Sequence, residues 1–516
     1  MSIELNKQEI SITEDKCSAS VKSITESDII VPDSKADCLR ILEVDALPQL
    51  SEKHISKDYI TLSGNLCYSI IYLGEDGTVE TIDYNAPFSK QIDAAGCDDT
   101  MTGFVKCSVS HVEYSVINSR KLNVKSVMNV QAKAYSKNEV SLIESVSGDI
   151  SLPAKTSSVN NFNLAICSEH DFNLEESVKL PPSGPDIDAI LKYDIKISDS
   201  ELKVVLNKVV AKGSIMLSAL YINEGEMYSV QNEIPFTHIA DVDGISPDMY
   251  TTADYDIRNI SCLRNTDDDG TMSLMDIKAD ICLTLRAYDE KTVEYISDIY
   301  SPDYNINVER REIAVTEMVD AGTAQCTVTE NFASERDVER IYCVTSEAFV
   351  DEVLLNSNSV TVNGFVNVVL LCKSSGEGEA VYSMNGQLPF SCSLPVARSY
   401  EVNSAFAEAT SFVEHESYSI EGGSSIKLRL IVRVNSSVKR RFSVNAVTDI
   451  VIDENNKTDK SAQSGITVYF VQSGDDMWNI AKRYHTTSAE ITAVNNLDEN
   501  TPLAAGQQLL IPKRSK

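Results

Sequence analysis

At 516 residues the chain is too long for a single hydrophobic core and should divide into about three or four domains. Its formal charge of −32, from 77 acidic and 45 basic residues, creates a surface that repels phosphates and anionic lipids. The composition therefore argues against nucleic-acid binding and against electrostatic attachment to a membrane.

The N-terminal segment carries no targeting pattern. It begins MSIELNKQEI and lacks the basic start and apolar core of a secretion signal, and no apolar run in the chain reaches membrane-spanning length. We therefore expect a cytoplasmic protein with no membrane-inserted segment. The 12 cysteines include no C-x-x-C pair, and several lie in apolar runs such as 66–68, which favours buried, reduced thiols over a disulfide framework.

Two sequence landmarks recur three times along the chain. In each copy a glycine within a strand-like run is followed 22 to 25 residues later by Pro-Phe, and an Asp-x-x-x-Ile pattern precedes the glycine. The landmark residues are Gly64, Gly213 and Gly364, and Asp37, Asp186 and Asp337. Both landmarks repeat after 149 and then 151 residues, which indicates three copies of one unit.

Each copy is predicted to be mostly β, because apolar and polar residues alternate with a period of two. In the first copy Leu122, Val124, Met128 and Val130 alternate with polar neighbours. We expect the glycine to mark a bulge or a close backbone approach, and the Pro-Phe pair to end the strand ladder. Two packed antiparallel sheets would bury the apolar faces of such strands, so each copy should be sandwich-like.

The composition changes after residue 453. Residues 454–465 are polar, as a linker would be, and residues 466–516 hold five acidic and five basic side chains, so the negative charge belongs to the repeats. The pattern then predicts a strand over 468–471 and a helix over 477–484 capped by Asp475 or Asp476. A second helix over 489–495, capped by Ser488, should turn Val494 inward, and a returning strand should follow over 509–511. This order defines a small α/β module of the βααβ type.

No pattern of metal-binding or catalytic residues stands out. The six histidines have no partner at metal-ligand spacing, and no nucleophile elbow, phosphate loop or dinucleotide fingerprint occurs. Asp267, Asp269 and Gly270 loosely match a calcium loop, but the residues after them alternate as a strand, which favours a solvated hairpin turn. We therefore predict a protein that is not an enzyme and needs no metal or cofactor.

The repeats and the module each resemble a known family. The Asp-x-x-x-Ile, glycine and Pro-Phe landmarks resemble the SPOCS domain of spore-coat proteins, and V-x-x-G-D, W-x-I-A and G-Q-x-L-x-I-P in the tail resemble a LysM domain. The expected fold class is mainly β, with three antiparallel β-sandwich-like repeats followed by the small α/β domain. The expected segments are an N-terminal extension (1–27), SPOCS-like repeats (28–152, 176–308 and 325–453), a linker (454–465) and a LysM domain (466–513).

The LysM resemblance implies a shallow groove for N-acetylglucosamine-containing glycans. Carried over by motif, the groove residues are Gly474, Asp475, Asp476, Asn496, Leu497 and Pro502. The family commonly has threonine where this chain has Asp476, and a carboxylate there loses a donor and adds a charge that sugar binding must desolvate. The resemblance equally allows the domain to bind a partner protein through Ile466, Met477 and Trp478. Trp478, the only tryptophan, is either a packing residue of the first helix or a binding anchor.

Taken together, the repeats and the terminal domain resemble the SipL-type family of clostridial spore-coat morphogenesis proteins. The resemblance implies a sporulation scaffold in the mother-cell cytoplasm, at the forespore surface, that binds a SpoIVA-like coat ATPase through its LysM domain and promotes encasement. The repeats would add contacts with other coat proteins or with copies of the same chain. The alternative function is binding of peptidoglycan or chitin-type glycans in the cell wall or spore cortex.

Overall fold

The fold is dominated by long strands that make up three successive units. A computed structural model describes residues 3–182, 184–375, 381–398, 400–459, 461, 464–498 and 502–513. The first unit consists of β1 (Ile3–Ile30), β2 (Cys38–Ser56), β3 (Tyr59–Gly74), β4 (Val79–Asp93), β5 (Thr102–Asn118) and β6 (Lys121–Gly148). The second consists of β7 (Ala154–Lys179), β8 (Ala189–Val205), β9 (Lys208–Asn223), β10 (Glu226–Asp241), β11 (Tyr250–Asn265) and β12 (Leu274–Ile299). The third consists of β13 (Tyr304–Ala333), β14 (Val338–Leu355), β15 (Ser359–Ser374), β16 (Val381–Pro395), β17 (Ala405–Glu421) and β18 (Ser425–Lys457).

Each unit folds as two three-stranded antiparallel sheets. One sheet has the order β2-β3-β4 in the first unit, and its counterparts are β8-β9-β10 and β14-β15-β16. The other has the order β1-β6-β5, with counterparts β7-β12-β11 and β13-β18-β17. Apolar residues from both sheets meet in one buried cluster, for example Leu66 of β3 and Leu122 of β6. The expected mainly β fold, with antiparallel sandwich-like repeats, is confirmed.

The first strand of every unit pairs with the last strand of the same unit. β1 pairs with β6 from Ile3 opposite Gly148 to Ile30 opposite Lys121. Most of the segment 1–27, expected as an extension, therefore lies in a sheet, and β7 occupies the interval between the expected first and second repeats. Strand pairing defines units over 3–148, 154–299 and 304–457. Of the expected linker 454–465, residues 460, 462 and 463 lie outside the described residues, and β18 continues to Lys457.

The recurring glycine and phenylalanine are cross-strand partners. The pairs are Gly64 with Phe88, Gly213 with Phe236, and Gly364 with Phe390. A Cβ atom on Gly364 would lie 2.1 Å from the Phe349 carbonyl oxygen and 2.6 Å from Phe390 Cζ, and the strand register shifts here, so the expected bulge and close approach are confirmed. The expectation that Pro-Phe ends the ladder is wrong. Pro87 lies inside β4, an edge strand, where proline is tolerated because the missing N–H can face solvent.

The three units close around a common axis. Equivalent positions from all three units share the same apolar clusters, which places the units side by side rather than in a row. One cluster contains Leu42, Leu191 and Tyr342, a second contains Leu142, Tyr295 and Ala446, and a third contains Ile143, Ile296 and Val447. The last strand of each unit, β6, β12 or β18, contacts the last strands of both other units, so the repeats make a single ring.

A buried polar group lies where the three units meet. The Nζ atom of Lys192 in β8 is 2.6 Å from Glu43 Oε1 in β2, 3.3 Å from Asp45 Oδ2 and 3.0 Å from Thr345 Oγ1 in β14. Burial alone would lower the pKa of Lys192, but the carboxylates of Glu43 and Asp45 raise it well above its ordinary value. We call these four residues the axial cluster. One ammonium group thus joins all three units.

A titratable carboxyl group stands beside the axial cluster. Removal of water by the surrounding units raises the pKa of Glu347 to about 7, and the nearby carboxylates of Asp45 and Asp194 add to the rise. Burial raises the pKa of Asp194 as well. The Glu347 side chain keeps contact with solvent, so its proton can exchange when the pH of the solution changes.

Candidate functional site

The described residues of the C-terminal module, 464–498 and 502–513, contain two strands and two short helices. They are β19 (Ile466–Phe470), α1 (Met477–Arg483), α2 (Ser488–Asn495) and β20 (Gln508–Pro512). The two strands pair antiparallel, with Ile466 opposite Pro512 and Phe470 opposite Gln508. The expected βααβ order is therefore confirmed.

Local sequence sets the start of both helices. Asp476, one of the two expected caps, is the N-cap of α1, and its carboxylate accepts a hydrogen bond from the Asn479 backbone N–H at 2.7 Å. The cap of α2 is Thr487 and not the expected Ser488, which is the first helical residue, because the Thr487 hydroxyl and Glu490 form a capping box. These caps hold the loop before α1 and the start of α2 in defined positions, although the two helices are only 7 and 8 residues long.

The core of the module includes a residue from the repeats. Its own buried members are Val471, Ile480, Ala481, Ile491, Leu509 and Ile511. Tyr300, which follows β12 in the second unit, belongs to the same cluster, and its hydroxyl donates to the Thr486 carbonyl oxygen at 2.9 Å. Val494, expected to face inward, is instead exposed. The module is therefore packed against the second unit.

Trp478 lies at this contact and is half-buried. Its ring meets the Tyr300 ring edge-on, with 5.0 Å between centroids, and its Nε1–H donates to Asp298 Oδ2 at 2.8 Å. Lys482, one turn further along α1, places Nζ 2.7 Å from the same oxygen. These surroundings favour the interpretation of Trp478 as a packing residue. Met477, beside it, packs against the module core.

The expected glycan-groove residues lie in the loops before α1 and after α2. They are Gly474, Asp475, Asp476, Asn496, Leu497 and Pro502. Gly474 has φ +91°, a conformation that favours glycine, and Asn496 ends α2 in the left-handed region at φ 52°. Gly474, Asn496 and Pro502 are exposed, whereas Leu497 packs partly against the module core.

Both aspartates of this groove already have partners within the chain. Asp475 accepts hydrogen bonds from the Tyr469 hydroxyl at 2.5 Å and the Gln472 backbone N–H at 2.9 Å, and these bonds lower its pKa. Asp476 caps α1 and lies 3.9 Å from Lys155 Nζ in β7. Both carboxylates are committed to the fold, so a sugar that covers them would have to desolvate them.

The outer face of the small sheet carries an apolar stripe, which we define as Ile466, Val468 and Phe470. Their side chains are 57%, 50% and 61% exposed, and the half-exposed Leu510 lies opposite Val468. Leu509 and Ile511, which alternate with Leu510, face the helices and are buried. Sequence reasoning found Ile466 but missed Val468 and Phe470. The available indication was the period-two spacing of Ile466, Val468 and Phe470, which places three apolar side chains on one face of the strand, opposite Thr467 and Tyr469.

Other candidate sites have simpler structural roles. Asp267 lies in the loop between β11 and β12, and its carboxylate accepts hydrogen bonds from Thr271 and Ser273 and contacts Lys179 at 2.9 Å. These bonds lower the pKa of Asp267. Among the described residues there is no group of three or more His, Cys, Asp or Glu side chains placed to hold a metal ion. In the same residues no helix is long and apolar enough to cross a bilayer.

The 12 cysteines are free thiols, and 7 of them are buried. Burial raises the pKa of Cys372 to about 12 and that of Cys38 to about 11. Such thiols hold little thiolate at neutral pH and behave as small apolar residues.

Family models match the two kinds of domain separately. The model described as SipL, SPOCS domain matches residues 37–117 and 186–264, and the LysM domain model matches residues 469–512. The SPOCS matches span the second to fifth strands of the first and second units. The third unit lies outside both matches but has the same strand order. No curated protein and no solved structure matches the chain.

Proposed function

We propose that this chain, a SipL-type sporulation protein by its SPOCS and LysM domains, is a scaffold for spore-coat assembly. In this proposal the LysM domain binds a SpoIVA-like coat ATPase, and the ring of repeats holds that domain at the forespore surface in the mother-cell cytoplasm. Neither domain family is catalytic. The observation that carries the proposal is the exposed apolar stripe.

The stripe has the composition and position of a protein-binding surface. Three large apolar side chains on one face of a five-residue strand stay in contact with water. Exposure of such apolar area is unfavourable, and a contiguous apolar patch on a soluble domain typically marks a binding surface. Covering them with a partner would remove that apolar area from water. Aromatic and large aliphatic side chains of this kind often contribute about 2 kcal/mol or more each to protein binding.

The charge distribution supports the same assignment. Residues 466–516 are neutral, with five acidic and five basic side chains, whereas the whole chain carries a formal charge of −32. The repeats therefore repel acidic surfaces, and the module does not. An apolar stripe on the neutral module can meet an acidic or neutral partner without a large electrostatic penalty.

A second candidate function is glycan binding, which the LysM match and the exposed Gly474, Asn496 and Pro502 favour. Against it stand the two groove aspartates, because their negative charges would have to be desolvated by a packed sugar. We therefore place protein binding first. The two functions use different faces of the module, so variants can separate them.

The experiment compares capture of the purified SpoIVA-like ATPase by the full chain and by Val468→Asp and Phe470→Asp variants. A carboxylate in the stripe would have to be buried in the interface, so we expect capture to fall by at least about 30-fold per variant. The matched control is Ile239→Asp in β10, because Ile239 is 56% exposed but lies on the second unit. It should bind like the wild type.

A parallel experiment measures retention of the wild type and the stripe variants on purified peptidoglycan. If the stripe variants capture the ATPase as well as the wild type, while the wild type is retained on peptidoglycan, the scaffold assignment is wrong and glycan binding takes its place. The fluorescence of Trp478 shows whether each variant module remains folded, because the chain has no other tryptophan.

A further inference from the structure

The contact between the module and the second unit converges on one carboxylate. Asp298, near the end of β12, accepts the hydrogen bond from Trp478 Nε1–H at 2.8 Å and lies 2.7 to 2.8 Å from Lys482 Nζ through both oxygens. Arg310 of β13, in the third unit, adds a third contact at 2.6 Å. A single side chain thus ties α1 to two of the repeats.

The same contact completes the module's core. Tyr300 is 5% exposed, contacts the Trp478 ring, and donates its hydroxyl hydrogen to the Thr486 carbonyl at 2.9 Å in the loop between the helices. A module separated from the repeats would expose Trp478 and lose the aromatic residue that covers its core. Burial of the two aromatic rings and the charge-assisted hydrogen bonds to Asp298 therefore both stabilise the contact between the module and the second unit.

We propose that Asp298 is a positioning residue that holds the LysM domain on the repeats in one orientation, with Trp478 turned inward and the apolar stripe left uncovered. The functional part of this inference rests on the proposed function, because it assumes that the stripe is the binding face. In this arrangement Trp478 contributes to partner capture indirectly. It fixes the direction in which Ile466, Val468 and Phe470 face, and it does not touch the partner.

The physical reason is that a tethered domain must lose orientational freedom when it binds, whereas a docked domain has already lost it. All three donors reach Asp298 from rigid elements: Trp478 and Lys482 from α1, and Arg310 from β13. Burial alone would raise the pKa of the Asp298 carboxyl, but hydrogen bonds from Lys482 and Trp478 hold it below its ordinary value. The carboxylate is therefore charged at neutral pH.

The test uses the full chain and its single tryptophan as a probe of docking. We compare the emission maximum and acrylamide quenching of wild type, Asp298→Ala, Tyr300→Phe and the control Asp241→Ala, an exposed aspartate that pairs with Lys208 at 3.0 Å on the second unit. Undocking moves Trp478 into water, so Asp298→Ala should shift emission to longer wavelength and increase quenching. Tyr300→Phe keeps the ring and should shift less, and Asp241→Ala should not shift at all. Unchanged emission in Asp298→Ala overturns the inference.

Partner capture provides the second readout. Asp298→Ala keeps the stripe intact, so its capture of the ATPase should fall about ten-fold through lost orientation rather than vanish. Val468→Asp should reduce capture without moving the Trp478 emission, so failure of the proposed function and failure of this inference give different results. Stronger capture by Asp298→Ala would mean that docking masks the module, which contradicts a positioning role. Capture unchanged despite a shifted emission would contradict it as well.

Discussion

The axial cluster allows a quantitative prediction about how the three repeats hold together. Lys192→Met replaces the ammonium group with an apolar side chain of similar length and leaves Glu43, which is 3% exposed, without its partner at 2.6 Å. The other oxygen of Glu43, Oε2, is buried and has no hydrogen-bond partner among the described residues. Removing one member of a buried ion pair costs about 3 to 5 kcal/mol, because the remaining charge is uncompensated.

This loss translates into a measurable change in melting temperature. The apolar clusters shared by all three units should make the ring of about 450 residues unfold as one body. With an unfolding entropy of about 2.1 cal/mol/K per residue, a loss of 3 to 5 kcal/mol lowers Tm by roughly 3 to 5 °C. Thermal unfolding followed by circular dichroism at fixed pH and salt measures this shift.

The matched control is Lys208→Met, which removes an exposed lysine paired with Asp241 at 3.0 Å. A surface pair contributes about 0 to 1 kcal/mol, so this variant should melt within about 1 °C of the wild type. The double variant Glu43→Gln, Lys192→Met removes both charges of the buried pair and should recover most of the loss, because the remaining carboxylate, Asp45, has a side chain that is 43% exposed to water. If Lys192→Met melts like the control, or if the double variant is less stable than the single one, the axial cluster does not hold the units together.

Two further predictions concern the repeat landmark and the titratable group beside the axis. Gly364→Ala should destabilise the third unit by about 1 to 3 kcal/mol in urea unfolding, because its Cβ would lie 2.1 Å from the Phe349 carbonyl oxygen. The control Gly322→Ala in β13 should be nearly neutral, because no neighbouring atom of the described residues lies within 4 Å of the added Cβ. Equal effects of the two changes would rule out the close-approach explanation. The pKa of Glu347 is raised in the folded protein from an ordinary 4.5 to about 7, so the folded state favours the protonated carboxyl. Its contribution to the free energy of unfolding is therefore fully present below about pH 4.5 and is lost as the pH rises through about 7. Tm measured from pH 5 to 8 should therefore fall less steeply in Glu347→Gln than in the wild type, and parallel curves would show that this group does not titrate in that range.

Much of the local architecture could be predicted from the sequence, because the relevant interactions are periodic or close in sequence. Alternation in β6 identified its buried face, where Leu122, Val124 and Met128 are fully enclosed. The Asp476 cap and the two helices of the module follow from local hydrogen bonding. The repeated glycine marked a real steric constraint.

The contacts between distant parts of the chain could not be predicted in this way. β1 is rich in serine, threonine and charged residues, and nothing in it shows that its partner residues lie 91 to 145 positions later in the chain. Asp298 and Trp478 are 180 residues apart, and a single aspartate near a strand end does not indicate which distant side chain it will hydrogen-bond. The axial cluster could not be predicted from the sequence for the same reason, because Glu43, Lys192 and Thr345 each come from a different unit.

The pairing of each unit's first strand with its last has a consequence for synthesis on the ribosome. β1 leaves the exit tunnel before β6 and cannot complete its sheet until β6 has been translated, and β6 begins only 91 residues after β1 ends. During that interval its open edge is exposed to other nascent chains, and pairing across such a separation is intrinsically slow. Charged residues along β1, such as Lys7, Glu14 and Lys16, discourage premature pairing with another strand. The composition of β1 therefore keeps the strand soluble and unpaired until β6 of the same unit has been synthesised.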